Sequence, residues 1–178
     1  MHRVFIDDAF GDAHDDHAAT PTEQAFREAM SRVPGAVHVV TTAGAAGRMG
    51  FTATSVAAVS DAPPTVLVCL NRASQVLPVL EANGVFCVNT LAGGEGALAD
   101  VFAGRTGLFG TARFRSGGWT TLDTGAPTLV TARAAVDCRL VKAVDAATHR
   151  ILIGEVQALA VGAEGDSLVY KGRRYHAL

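Results

Sequence analysis

No stretch of this 178-residue chain is apolar for long enough to span a bilayer. The amino terminus, MHRVFIDDAFGDAHDDH, lacks the apolar segment that marks a secretory signal. There is no Lys/Arg stripe either, and the formal net charge is -2. Phosphate-backbone binding needs concentrated positive charge, so the sequence argues against nucleic acid as a main partner. Cysteine is scarce: Cys69, Cys87 and Cys138 each sit in an apolar run (VLVCL, VFCVNTL, VDCRL), and none has the close spacing of a zinc site or a redox pair. An odd number of buried thiols suits a reducing compartment, so the expected location is cytoplasmic, with no membrane association and no metal.

Familiar catalytic signatures are missing too. The chain has no G-x-S-x-G elbow, no Walker sequence and no H-E-x-x-H, which leaves hydrolase and NTPase readings without an anchor. Gly94-Glu95-Gly96-Ala97-Leu98-Ala99 does spell G-x-G-x-x-A. A dinucleotide fingerprint, however, needs a following parallel strand that ends in an acidic residue about 20 positions on. That region reads ARFRSGGW, so the string is read as a glycine turn before a helix.

What is present is a foldable single domain. About half the residues (49%) are apolar, and a chain of this length can bury roughly 70% of its unfolded surface. Residues 1–19, rich in Asp with His2, His14 and His17, read as a flexible acidic tail. His14 and His17 have the spacing of a metal-binding helix face, but a solvated leader is the favoured reading. The domain proper is expected over 20–178. Thr20-Pro21-Thr22-Glu23 reads as a capping box with proline at the first helical position, and a short helix over Glu23–Ser31 follows.

Strand patterning then dominates. Val37–Thr42 and Phe51–Val59 read as a hairpin, and Asp61-Ala62-Pro63-Pro64 breaks the chain before strand Thr65–Asn71. Ser74 is placed to cap a helix running through Ala82; strand Val85–Leu91 and helix Glu95–Phe102 come next. Residues 104–118 read as a long surface connection. Strands Ala134–Val144, His149–Val161 and Ser167–Tyr170 precede a tail, KGRRYHAL. Mostly strand with two or three short helices implies a closed barrel or a sandwich, and periodicity does not choose between them.

Four strings carry a more specific signal. They are VVTT through GFTATS, then PPTVLVCLN, then CVNTL, and finally Thr148-His149 through Gly154-Glu155-Val156. In this order and spacing, from about Phe26 to the end, they resemble the short-chain flavin reductases, the reductase components of two-component flavin monooxygenases. The likeness is greatest to the reductases of pyrimidine-degradation and 4-hydroxyphenylacetate monooxygenases, partly through Tyr175-His176-Ala177-Leu178. The resemblance implies a mainly β fold, a split β-barrel of Greek-key, FMN-binding type with a few short helices. It also implies a homodimer, hydride transfer from NADH or NADPH to FMN or FAD, and delivery of reduced flavin, by contact or by diffusion alone, to a separate oxygenase.

The same resemblance implies a site. The isoalloxazine would lie along Gly50, Phe51, Thr52, Ala53, Thr54 and Ser55, where small side chains leave backbone N–H groups accessible. An ordinary small-residue strand is the competing reading. Asn71, Arg72 and Ser74 match the phosphate side; Ser74 heads a helix whose dipole favours an anion, though it can equally be a plain cap. Asn89, an amide inside a strand, would meet the flavin or else a backbone partner. Tyr175 would stack on the flavin or pack in the core. His149 would place the nicotinamide, although the family's Gly-Thr-His is here Ala147-Thr148-His149. Two rival functions share these residues: a retained flavin passing electrons to a corrinoid or quinone, and a flavin- or haem-binding module without turnover.

Overall fold

The computed structural model describes residues 21–178. The acidic tail, and with it the His14/His17 reading, lies outside the described residues. In chain order the elements are α1 (Glu23–Ser31), β1 (Gly35–Ala36), β2 (His38–Gly44), β3 (Gly47–Ala53), β4 (Val56–Asp61) and β5 (Pro64–Asn71). They continue with α2 (Val76–Asn83), β6 (Val85–Thr90), α3 (Gly96–Phe102), a 3-10 turn (Gly110–Arg115), β7 (Trp119–Thr121) and β8 (Pro127–Leu129). The chain finishes with β9 (Ala134–Ala146), β10 (His149–Val161), β11 (Leu168–Lys171) and β12 (Arg174–Ala177). No helix among the described residues is long and apolar enough to cross a membrane.

Three expectations need correction. The cap of α1 is Thr22, whose Oγ1 accepts from the Ala25 N–H at 3.1 Å, so Pro21 precedes the helix instead of opening it. The run Phe51–Val59 is not one strand: it breaks at Thr54 and Ser55 into β3 and β4. The terminal KGRRYHAL is mostly strand, because Gly172 and Arg173 take left-handed φ values of 58° and 62° and turn β12 back onto β11.

Seven strands form the main sheet in the order β3-β2-β6-β9-β10-β5-β4, every pair antiparallel. Laid flat, strands spaced about 4.8 Å apart would separate the outer two by roughly 29 Å. Here the outer two, β3 and β4, are consecutive in the chain and joined by Thr54 and Ser55 alone. Three Cα–Cα steps cannot reach beyond about 11 Å. The sheet is therefore rolled until its edges nearly meet, without hydrogen bonds closing the seam, which is the split-barrel architecture expected.

Strand alternation divides the core. On β2, Val40 points into a cluster with Phe51, Ala53, Val68, Leu70, Phe86 and Leu152, covered by Val76, Leu77 and Leu80 of α2. Its neighbour Val39 points the other way, to Val37, Leu91, Phe102 of α3 and Phe114 of the 3-10 turn. Phe102, Phe114 and Trp119 meet edge-to-face with centroids 5.1–5.5 Å apart. Phe86 is fully buried, as its strand position suggested. It fills the space a side chain would need at Gly154, where a Cβ would stand 2.4 Å from the Phe86 ring. Gly154→Ala should lower the free energy of unfolding by about 1–3 kcal/mol, read as a lower denaturant midpoint with an unchanged slope.

Candidate functional site

The seam leaves one strand edge unpaired. The two-residue β2–β3 loop closes on the Gly44–Gly47 pair, and the register continues Thr42–Met49, Val40–Phe51 and His38–Ala53. In an antiparallel ladder, pairs alternate between those that exchange hydrogen bonds and those that do not, and a two-residue hairpin closes on a bonded pair. Gly50 and Thr52 therefore turn their N–H and C=O groups away from β2. An independent contact agrees, because the Gly50 carbonyl accepts from Arg113 Nη1 at 3.1 Å. Beside this edge opens a groove of about 420 Å3, within the range of small-ligand sites.

The groove floor is Phe51, Thr52, Ala53, Thr54 and Ser55 of β3 and the seam. One wall is the end of β5 with the turn into α2: Cys69, Leu70, Asn71, Ser74 and Val76. Phe102, Ala103 and Arg113 form the other wall, on the opposite face of β3, and His149 stands at the rim. Thr52 directs its hydroxyl away from the groove, donating to the Ala99 carbonyl at 2.6 Å, so what Thr52 offers at the edge is backbone. In the turn, Asn71 Oδ1 accepts from Ala73 N–H at 2.8 Å and Ser74 Oγ accepts from Val76 N–H at 3.3 Å. Ser74 keeps a hydroxyl proton to donate, at the start of α2.

His149 is the first residue of β10, paired with Asn71 on one side and Ala146 on the other. The two-residue loop before it contains Ala147 at φ 49°, a left-handed conformation in which the family's glycine would be unstrained. Two contacts hold the loop: the Arg72 N–H donates to the Thr148 carbonyl at 3.0 Å, and Thr148 Oγ1 lies 3.0 Å from His149 Nδ1. Around it, Arg150 pairs with both Glu81 and Asp145, and its hydrogen bond holds Asp145 below the usual carboxylate range.

Four of the expected residues do not line the groove. Asn89 is fully buried and satisfied by protein: its Nδ2 donates to the Val39 carbonyl at 3.0 Å and its Oδ1 accepts from the Leu129 N–H at 2.7 Å. The amide pins β8 to the sheet, so the flavin reading of Asn89 is withdrawn. Gly50 sits under α3, where a Cβ would stand 2.8 Å from the Phe102 ring; packing, not a ligand, requires glycine there. Arg72 points out towards Asp145, at 3.8 Å. Tyr175 lines an adjoining cleft with Tyr170, Arg105 and Thr54, its hydroxyl donating to Asp100 at 3.1 Å. Conversely, Phe102, Ala103 and Arg113 line the groove without any signal in the sequence that marks them for it. Arg113 lies in the 104–118 connection, which has neither helix nor strand period, and its only hint is the adjacent core residue Phe114.

A rolled antiparallel sheet with a slot at its seam, mostly small side chains on the slot floor and a helix start at one wall is a ligand-binding architecture. The flavin reductase like domain model matches residues 30–178, and the chain belongs to that family. It is 50% identical over 157 residues to the FMN reductase (NADH) RutF of Ancylobacter novellus, covering 88% of this chain and 86% of that one. Among solved structures it is similar to BorF, the flavin reductase component of a bacterial two-component tryptophan halogenase. That likeness has 30% identity, 88% and 98% coverage and a TM-score of 0.82. It is also similar to the Streptomyces globisporus NADH:FAD oxidoreductase SgcE6 in complex with NAD and FAD fragments, with 27% identity, 87% and 92% coverage and a TM-score of 0.79.

Two outcomes follow for the site. Ala147→Gly should raise stability by about 1 kcal/mol by relieving the left-handed alanine, seen as a higher Tm with NADH oxidation retained. Burial pushes the Cys87 and Cys138 thiols up to about 12, whereas Cys69 lines the groove. A thiol reagent should therefore modify one cysteine in the native protein and three after denaturation, and FMN should slow the native reaction.

Proposed function

We propose that this protein oxidises NADH and reduces FMN held along the β3 edge, as a dimer that supplies reduced flavin to a separate oxygenase in the cytoplasm. The observation that carries the reading is the unpaired β3 edge opening into a groove floored by small residues. A flavin presents a row of ring nitrogens and carbonyl oxygens that complements such a row of backbone groups. FMN and NADH are preferred over FAD and NADPH because the relative that is half identical is named for that pair. The oxygenase partner rests on reductase components of similar fold. Cytoplasmic location is supported by three free cysteines.

The chain's residues divide the work. The backbone of Thr52 and Thr54 orients the ring. Ser74 and the first turn of α2 receive the phosphate. Bound flavin supplies the hydride acceptor, so the protein needs no acid–base group of its own beyond orientation. His149, at the rim and in contact with Thr148, would position the nicotinamide. Arg72 acts by holding the Thr148 carbonyl through its backbone, and its side chain stays outside the site.

Steady-state oxidation of NADH with added FMN tests the reading directly. His149→Ala should lower kcat/KM for NADH by about tenfold or more, while the Kd for FMN, from quenching of flavin fluorescence, stays within about twofold. Equal loss of both would remove His149 from the nicotinamide role. Absence of NADH oxidation by the wild-type protein with FMN, FAD or riboflavin would refute the function itself.

A further inference from the structure

We propose that Arg113 is a flavin-binding residue: its free guanidinium edge donates to an electron-rich oxygen of the flavin, on the 5′-phosphate or on the pyrimidine carbonyl edge. The inference rests on the flavin reading of the groove and adds the one cation that this reading lacked.

Arg113 is held with unusual completeness for a loop side chain. Its Nε donates to the Leu108 carbonyl at 3.0 Å, and its Nη1 donates to the Gly50 and Phe102 carbonyls at 3.1 and 3.2 Å. Three backbone acceptors from three separate segments fix the plane of the guanidinium. Nη2 donates to none of the described residues, yet it is not among the buried atoms left without a partner, so it reaches open space. Nη2 lies beside Gly104, where a Cβ would stand 3.1 Å from it, next to the groove-lining Ala103, and Arg113 itself lines the groove.

Charge makes the same point. Among the residues lining the groove, Arg113 is the only lysine, arginine, aspartate or glutamate. No carboxylate among the described residues pairs with it. Arg72, the arginine expected from the sequence to serve the phosphate, faces Asp145 instead. A guanidinium immobilised by carbonyls, on the wall of a groove lined by no carboxylate, is prepared for a ligand oxygen. Because three carbonyls already hold it, little side-chain freedom is lost on binding.

The test compares FMN with riboflavin, which lacks the phosphate, by quenching of flavin fluorescence in wild type, Arg113→Gln and Arg113→Lys. Tm of the flavin-free proteins is measured in parallel. A charge-assisted contact should be worth about 10- to 100-fold in Kd. If Arg113→Gln weakens FMN by that factor and leaves riboflavin unchanged, the contact is to the phosphate. If it weakens both while the flavin-free Tm is unchanged, the contact is to the ring. Either result supports the assignment, and Arg113→Lys should recover part of the phosphate contact. The assignment is overturned if both affinities stay within about twofold of wild type. It is also overturned if both fall together with the flavin-free Tm in Arg113→Gln and Arg113→Lys alike, since the arginine would then serve only the fold. Failure of the wild-type protein to bind either flavin would instead refute the reading of the groove.

Discussion

An unpaired row of backbone N–H and C=O groups on β3 is the feature on which the rest of the structure depends. Exposed strand edges are a liability, because they invite pairing with other chains, and closed barrels exist largely to remove them. This sheet rolls almost to closure, its two edge strands joined by Thr54 and Ser55 but not hydrogen-bonded to each other. What prevents the edge from being a mere defect is what surrounds it. α2 covers one face of β3, α3 and the 3-10 turn cover the other, and Arg113 occupies the Gly50 carbonyl. The remaining backbone groups face a groove of about 420 Å3.

The core explains why the seam stays open in a defined shape. Phe86 of β6 and Cys138 of β9 are packed against Gly154 of β10, so the ring fills the core beside three consecutive strands. Phe102 pressed against Gly50 sets how closely α3 approaches β3. Both contacts require glycine for steric reasons, and Phe102 also lines the groove. Asn89 adds a polar tie, linking β6, β2 and β8 through backbone partners in a buried position where no water competes.

Much of this was legible in the sequence, and the exceptions share a cause. The helices α1, α2 and α3 and the strands β2, β5, β6, β9, β10 and β11 follow from patterning and turn residues, whereas β1, β7 and β8 do not; FTATS, the turn after β5 and the Thr-His pair do converge on one groove. The break at Thr54 and Ser55 was invisible, because FTATSVAAV keeps one composition across the seam while its two halves join opposite edges of the sheet. For Asn89 an amide in a strand demands partners, flavin or backbone, and a sequence does not reveal that Val39 and Leu129 supply them. Arg113 escaped for the opposite reason: it sits in a segment without period, placed by tertiary contacts from Leu108, Phe102 and Gly50. Local propensity finds elements, whereas the closing of a barrel is a long-range event.

Hydrogen–deuterium exchange over Gly50–Ser55, with and without FMN, addresses the central claim most directly. If the β3 edge grips the flavin, amide exchange in that segment slows by about tenfold or more on FMN addition, while β7 and β8 exchange as before. Saturating FMN that leaves Gly50–Ser55 exchanging at its free rate, with protection appearing elsewhere in the molecule, would contradict the account.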